Sequence, residues 1–388
     1  MKRFLINKKK SKKRISRIFN FDRGLGKPDY FLLAIFAIVV VFGLIMLSSA
    51  SSVKAFREYD SAYYFFWHQI IMGLVPGLVF FVFFLNFDYR RLEKLTILFF
   101  IGSIILLIAV FIPGLGVKYG SAQSWLNIGG ISFQPSEIVK LGLILSLAGW
   151  FAYRGREKNQ DFWNGLFPFA ICLGLISLPI ILQPDLGTLA VVVIISFNIY
   201  FMAGARLSHI LGLFAAGLGA FGILIAQAPY RAARLMTFLH PEIDPQGAGY
   251  HINQAFLAIG SGGWLGLGFG QSRQKFAYLP EVMGDSIFAI IAEELGFIFA
   301  AGLVVLFILL AWRGLKLAKA VEDDYARLVV VGIIAWFTFQ AFFNIAAMVG
   351  LMPLTGIPLP FVSYGGTALA ISLAGAGILL NISRQAKY

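Results

Sequence analysis

The sequence predicts an all-α integral membrane protein of about ten transmembrane helices, with a long extracytoplasmic loop between the seventh and the eighth. Three observations carry this. The 388-residue chain is 59% hydrophobic and 13% charged, with a mean hydropathy of +0.80, whereas soluble domains average roughly 25% charged. Apolar runs near the ~20 residues that cross ~30 Å of hydrocarbon recur along nearly its whole length. Basic residues collect on alternate connections between those runs, the positive-inside pattern.

Residues 1–28 form a basic tail, with Lys2, Arg3, Lys8, Lys9, Lys10, Lys12, Lys13, Arg14 and Arg17 crowded into its first part. No aromatic or Gly-rich recognition pattern accompanies them, so the tail reads as a cytoplasmic anchor that touches anionic lipid and not as a nucleic-acid binder. The tail is too long, and the apolar run after it too extended, for a cleaved signal peptide. Residues 29–388 form one polytopic domain. Its apolar runs lie near 30–50, 67–86, 95–113, 137–153, 163–182, 187–204, 208–226, 286–312, 328–349 and 366–383. With both termini cytoplasmic, the connections carrying Arg90, Arg91 and Lys94, then Arg154, Arg156 and Lys158, then Arg206, then Arg313, Lys316, Lys319 and Arg327, and lastly Arg384 and Lys387, all fall inside. Segments 51–66, 114–136, 183–186, 227–285 and 350–365 face outward, and function is expected there. Loop 227–285 is rich in Gly and aromatics, and its length marks it as a functional element.

The lone cysteine, Cys172, rules out an intramolecular disulfide, and His68, His209, His240 and His251 lack metal-ligand spacing. The glycines of 260–270 precede no GK[ST], so no phosphate-binding loop of the nucleotide type is present. The chemistry is carried by charges in apolar surroundings, which are expensive to keep without a task. In "SFQPSEIVKLGLIL", Pro135 opens a helix and places Glu137 and Lys140 on one face. They form either a structural ion pair or a group that meets an anionic substrate. Asp185 in "QPDLGT" reads first as a helix cap. Arg231, Arg234, Arg273 and Lys275 either meet lipid headgroups or clamp a pyrophosphate. Glu281 and Asp285 sit at the outer boundary. Glu293 and Glu294 lie two turns deeper and about 100° apart, so they should not share one small target, and interhelical pairing or contact with a water-filled cavity suits them best. Asp285, reachable from outside and near the cationic loop, is the candidate general base.

These residues resemble the SEDS family (shape, elongation, division and sporulation), polytopic glycosyltransferases of bacterial cell-wall synthesis. "FQPSEIVKL", "QPDLGT", "AIGSGGWLGLGFGQSRQKFAYLPE", "DSIFAIIAEELG" and "GLMPLTGIPLPFVSYGGTALA" occur in the family's order and spacing. "QSRQKFAYLPE" looks more like the division branch than the elongation branch. The resemblance implies a polymerase of lipid II, the undecaprenyl-pyrophosphate-linked disaccharide pentapeptide, working with a class B penicillin-binding protein and other divisome membrane proteins at the septum. It implies that Asp285 is the catalytic residue, that Lys140 is important and that Glu137 travels with it. Gln134 and Ser136 of the same motif, Trp125 ahead of it, and Glu281 of "LPE" join the substrate-binding candidates with Arg231, Arg234 and Lys275. Three positions depart from the family pattern: Met283-Gly284 stands where His-Thr is usual, Ser124 precedes Trp125 where Arg is frequent, leaving Lys118 to make any phosphate contact, and His240 replaces an acid or amide.

The expected reaction is inverting. Asp285 takes the proton of the acceptor's 4-hydroxyl as it attacks the donor's anomeric carbon, and cations neutralise the departing diphosphate, alone or with a divalent ion such as Mg or Mn. A lipid II flippase or other transporter, a scaffold that recruits the transpeptidase, and an elongation-type polymerase are the competing readings. Against transport, the acids cluster at one membrane face and not at the midplane.

Overall fold

The computed structural model describes residues 26–119, 122–226, 236–240, 243–247 and 249–386. Most of the basic tail lies outside them, as do Arg231, Arg234 and the Lys118 side chain. Each apolar run forms a helix: α1 Tyr30–Ala50, α2 Tyr64–Asn86, α3 Thr96–Ala109, α4 Pro135–Arg154, α5 Phe162–Leu182, α6 Leu186–Met202 and α7 Leu207–Ala226. A helix within the long loop, α8 Tyr250–Gly262, is followed by α9 Ile287–Ala320, α10 Asp324–Met348 and α11 Gly366–Ser383. Among the described residues, helices α1, α2, α4, α5, α9, α10 and α11 are the 7 long and apolar enough to cross a membrane, while α3, α6 and α7 supply shorter apolar helices.

Local chemistry sets several boundaries. Asp29 caps α1 by accepting from Phe31 N and Leu32 N, Asp323 caps α10 through Tyr325 N and Ala326 N, and Pro135 occupies the first turn of α4. Asp185 caps α6 by accepting from Thr188 N at 2.9 Å, as its place before the helix predicts.

The expectation of an all-helical chain needs one amendment. Segment 114–136 holds a three-stranded antiparallel meander, β1 Gly116–Tyr119, β2 Ala122–Ile128 and β3 Ile131–Phe133, with Trp125 opposite Val117. At 4 and 3 residues β1 and β3 are too short to read as a period-2 pattern, and the Gly129-Gly130 turn, at φ 61° and 85°, closes β2 onto β3.

Burial sorts the helices. In α4, α10 and α11, 78%, 72% and 78% of the apolar window is buried, against 17% in α2 and 28% in α5. The first three therefore form the centre, and the outer helices present their apolar side chains to lipid. Helix α4 has the lowest mean hydropathy of the seven, 1.3, because its inward face buries Ser136, Glu137, Lys140 and Ser146. Helices α2 and α11 pack at backbone distance: a Cβ at Gly77 would lie 2.6 Å from Leu373 Cδ1, and one at Gly377 would lie 2.6 Å from Phe81 O. Small residues allow that approach.

Helix α9 is longer than the run 286–312 suggests and is broken at Gly296, φ 77° and ψ −176°. In an unbroken helix Phe297 N and Ile298 N would bond Glu293 O and Glu294 O. Here they donate to Gly263 O and Trp264 O at 2.9 and 3.3 Å, while Leu267 N and Gly268 N donate to Glu293 O and Glu294 O at 2.9 and 3.0 Å. Segment 263–268 is thereby spliced into the helix, and these four freed backbone groups are re-paired, as an apolar environment demands.

Candidate active site

Asp285 lies half-buried two residues before α9, at the end of a turn running from Tyr278 to Ser286. Glu281, exposed and at φ 48°, bends this turn, and its carbonyl accepts from Gly284 N at 2.9 Å and Ser286 N at 3.3 Å. The loop between α10 and α11 clamps the turn from one side: Ser363 Oγ donates to Gly284 O at 2.6 Å, and Tyr364 N donates to Met283 O at 2.7 Å. Met283-Gly284, the departure from the family pattern, thus holds the turn through carbonyls that any residue could supply. From α10, Asn344 Nδ2 donates to Asp285 O at 2.7 Å. Ser286 Oγ lies 2.7 Å from His251 Nε2 on α8, 2.8 Å from Pro280 O and 3.4 Å from Asp285 Oδ1. Elements distant in sequence therefore fix the main chain beneath the Asp285 carboxylate.

Glu137 and Lys140 pair inside the protein. Lys140 Nζ donates to Glu137 Oε1 at 2.7 Å and to Gln340 Oε1 at 2.6 Å, lies 5.2 Å from the centre of the Trp336 ring, and is 1% exposed. Gln340 Oε1 also accepts from Trp336 Nε1 at 2.7 Å, and Gln340 Nε2 donates to Pro358 O at 2.8 Å. The amide orientation is fixed, because a flip would set its NH2 against two donors. One turn further along α10, Asn344 Nδ2 bonds Ile357 O at 2.8 Å as well as Asp285 O. Gln340 and Asn344 therefore join the α4 pair to the Asp285 turn, both through α10 itself and through the 357–358 backbone.

The predicted residues divide on this frame. Lys140, Glu137 and Asp285 are brought into one network. Glu281 belongs to the same turn as Asp285. Ser136 is buried beside Glu137, and both Ser136 Oγ and Glu137 Oε2 have no hydrogen-bond partner among the described residues. Gln134 caps α4 in position, without a side-chain bond to it, and half-buried Trp125 sits on the meander that leads into α4. Lys275 is corrected. It is 5% exposed, and its Nζ donates to Glu294 Oε1 at 2.9 Å, Ser49 Oγ at 3.1 Å and Gly270 O at 2.7 Å, so it closes an internal ion pair and presents no cation to a diphosphate. Glu293 and Glu294 are corrected in part. Both bind the 270–275 segment, Glu294 through Gly270 N and Ser272 N, and Glu293 through Arg273 N, Gln274 N and the Ser272 hydroxyl. A wrapped segment of chain reaches both faces where a small ligand would not, and Ser49 on α1 supplies the interhelical contact.

Gln340, Asn344, Trp336, Ser363 and His251 escaped the sequence reading. A signal existed for two of them: "QAFFN" places amides four residues apart inside an apolar run, hence on one helix face. Ser363 and His251 act through loop geometry that no spacing reveals.

The family model described as "Cell cycle protein", covering FtsW, RodA and SpoVE, matches residues 29–388. Stage V sporulation protein E of Bacillus subtilis (strain 168) is 41% identical over 364 residues, covering 93% of this chain and 98% of that protein. The probable peptidoglycan glycosyltransferase FtsW of Geobacter sp. (strain M18) is 36% identical over 357 residues, covering 92% and 97%. Among solved structures, a chain from the work on structural coordination of polymerization and crosslinking by a peptidoglycan synthase complex aligns with a TM-score of 0.77 at 30% identity, over 92% of this chain and 98% of that one. The rod shape determining protein RodA of Thermus thermophilus aligns with a TM-score of 0.68 at 29% identity, over 93% and 98%. Likeness over nearly the full length, in sequence and in fold, shows that this membrane protein belongs to the FtsW/RodA/SpoVE family, the SEDS proteins, and is FtsW-like within it.

Proposed function

We propose that the chain is an inverting peptidoglycan glycosyltransferase that polymerises lipid II into β1,4-linked glycan with release of undecaprenyl pyrophosphate. The observation that carries this reading is the Asp285 carboxylate, half-buried on a turn whose main chain is held by Asn344, Ser363 and Tyr364. A carboxylate whose main chain is fixed from several elements suits proton removal from an acceptor hydroxyl held within about 3 Å. The relatives named as peptidoglycan glycosyltransferases support the reaction class.

Asp285 accepts the 4-hydroxyl proton of the acceptor sugar as that oxygen displaces diphosphate from the donor's anomeric carbon on the opposite face, so configuration inverts. The leaving diphosphate needs charge neutralisation more than a proton. With Lys140 and Lys275 engaged on buried carboxylates, Arg231 and Arg234 remain the candidate cations of the long loop, and Arg273 is exposed on the same loop. Among the described residues there is no group of three or more His, Cys, Asp or Glu that could hold a metal. A divalent cation, where one takes part, would arrive on the diphosphate itself.

The solved synthase complex supports a cross-linking partner, a class B penicillin-binding protein, beside this chain. The base-rich end is assigned to the cytoplasm and the Asp285 end to the outside. Septal placement with other division proteins follows the FtsW likeness. The likeness to a sporulation protein favours a second site of action, the wall laid down during sporulation. A fluorescent fusion separates the two: enrichment at midcell of growing cells supports division, and signal confined to sporulating cells supports the alternative. The reaction is tested by supplying purified lipid II to the reconstituted protein with its partner's transpeptidase blocked. Polymeric glycan with released undecaprenyl pyrophosphate is expected. Movement of lipid II across vesicles without polymer would establish transport instead.

A further inference from the structure

We infer that Gln340 and Asn344 are positioning residues for the reaction, and that Lys140 acts on Asp285 through them and not as a ligand of the substrate's diphosphate. This rests on the glycosyltransferase reading above. Lys140 is 1% exposed, and its Nζ is 2.7 Å from Glu137 Oε1 and 2.6 Å from Gln340 Oε1. Reaching a diphosphate would abandon the buried carboxylate of Glu137, whose other oxygen already has no hydrogen-bond partner among the described residues. Such a carboxylate left alone is strongly unfavourable.

What the pair does hold is α10. Gln340 Oε1 receives Lys140 and Trp336 together, which orients Gln340 Nε2 toward Pro358 O at 2.8 Å. Asn344, four residues on and 1% exposed, aims Nδ2 at both Ile357 O and Asp285 O, at 2.8 and 2.7 Å. The 357–363 segment returns to the Asp285 turn through Ser363 Oγ to Gly284 O. Two routes, one through α10 and one through this loop, therefore run from Lys140 to the backbone of the general base. A displacement of about 1 Å at such a group costs on the order of 10²-fold in rate.

The test is a steady-state comparison of lipid II polymerisation by the full chain with its partner, for wild type, Gln340→Leu, Asn344→Leu, Lys140→Met and the Lys140→Met/Gln340→Leu double variant, each normalised to folded complex by size exclusion. Positioning predicts losses on the order of 10²-fold in kcat with KM little changed, and a double variant no worse than its poorer parent. A purely structural role would lower the yield of folded complex and leave kcat per folded complex intact. If Asn344→Leu does not fold, the smaller Asn344→Ala is read in the same assay. Losses that fall on KM and multiply in the double variant make Lys140 an independent substrate ligand and overturn the inference, as does unchanged kcat in both α10 variants. Wild type that forms no glycan overturns the function reading and this inference together, whereas active wild type with indifferent variants overturns the inference alone.

Discussion

At the scale of single residues, burial decides what each charge can do. The side chains of Lys275 and Glu294 are 4% and 0% exposed and 2.9 Å apart. Removing one partner leaves a buried charge, at about 3–5 kcal/mol, whereas replacing both by apolar groups can be neutral. Lys275→Met should therefore lower the thermal unfolding temperature of the purified protein strongly, and because Glu294 also accepts from Gly270 N and Ser272 N, Lys275→Met/Glu294→Gln, which removes the charge and keeps an amide oxygen, should recover part of the loss. If the double variant were worse than the single, the pair would hold a more specific role than mutual neutralisation. Asp185 sits at the other extreme. Its carboxylate accepts from Thr188 N and Thr188 Oγ1, so Asp185→Ala should cost about 1 kcal/mol as a lost cap, with glycan synthesis per folded molecule close to wild type. A loss of synthesis without a loss of stability would place Asp185 in the chemistry.

At the scale of elements, the break in α9 sets the register of everything between it and the Asp285 turn. Gly296 adopts φ 77°, and a Cβ there would lie 2.3 Å from Gly266 N. Gly296→Ala adds to that clash a penalty of about 1–3 kcal/mol, because positive φ with an extended ψ is open essentially to glycine alone. Hydrogen exchange should show loss of protection at Leu267 and Gly268, whose N–H groups bond the broken turn. Unchanged protection would mean that the splice tolerates a side chain. The positions of the helices were legible because a span must be continuously apolar and ~20 residues long. The splice was not legible, because "SGGWLGLGFG" advertises turns without saying which backbone will receive them. The charged motifs were likewise legible as costly groups in apolar runs. The partners of those groups were not, since Gln340 lies 200 residues from Lys140 and only folding joins them.

At the scale of the molecule, polar contacts gather at two ends of an apolar bundle. At one end Gly26 N donates to Arg384 O at 3.0 Å, Arg313 Nε to Asp29 Oδ2 at 2.6 Å, and Tyr89 Oη to Asp323 Oδ2 at 3.1 Å, so both terminal segments and two connections meet. At the other lie the Asp285 turn, the 357–365 loop and the Glu137–Lys140 pair. The sidedness inferred from the bases predicts that, in a Cys172→Ala background, Ser132→Cys on the meander reacts with an impermeant maleimide in intact cells while Glu157→Cys reacts only after permeabilisation. The reverse pattern would invert the topology and move the proposed chemistry to the wrong side for wall synthesis. The most direct test of catalysis is the polymerisation rate of wild type against Asp285→Asn, reconstituted with the cross-linking partner under identical conditions. Because the asparagine keeps the backbone anchors from Asn344, Ser363 and Tyr364, the account predicts normal folding and partner assembly with glycan synthesis reduced by at least the ~10²-fold a general base contributes. Equal rates from the two proteins would contradict it and make Asp285 a structural residue.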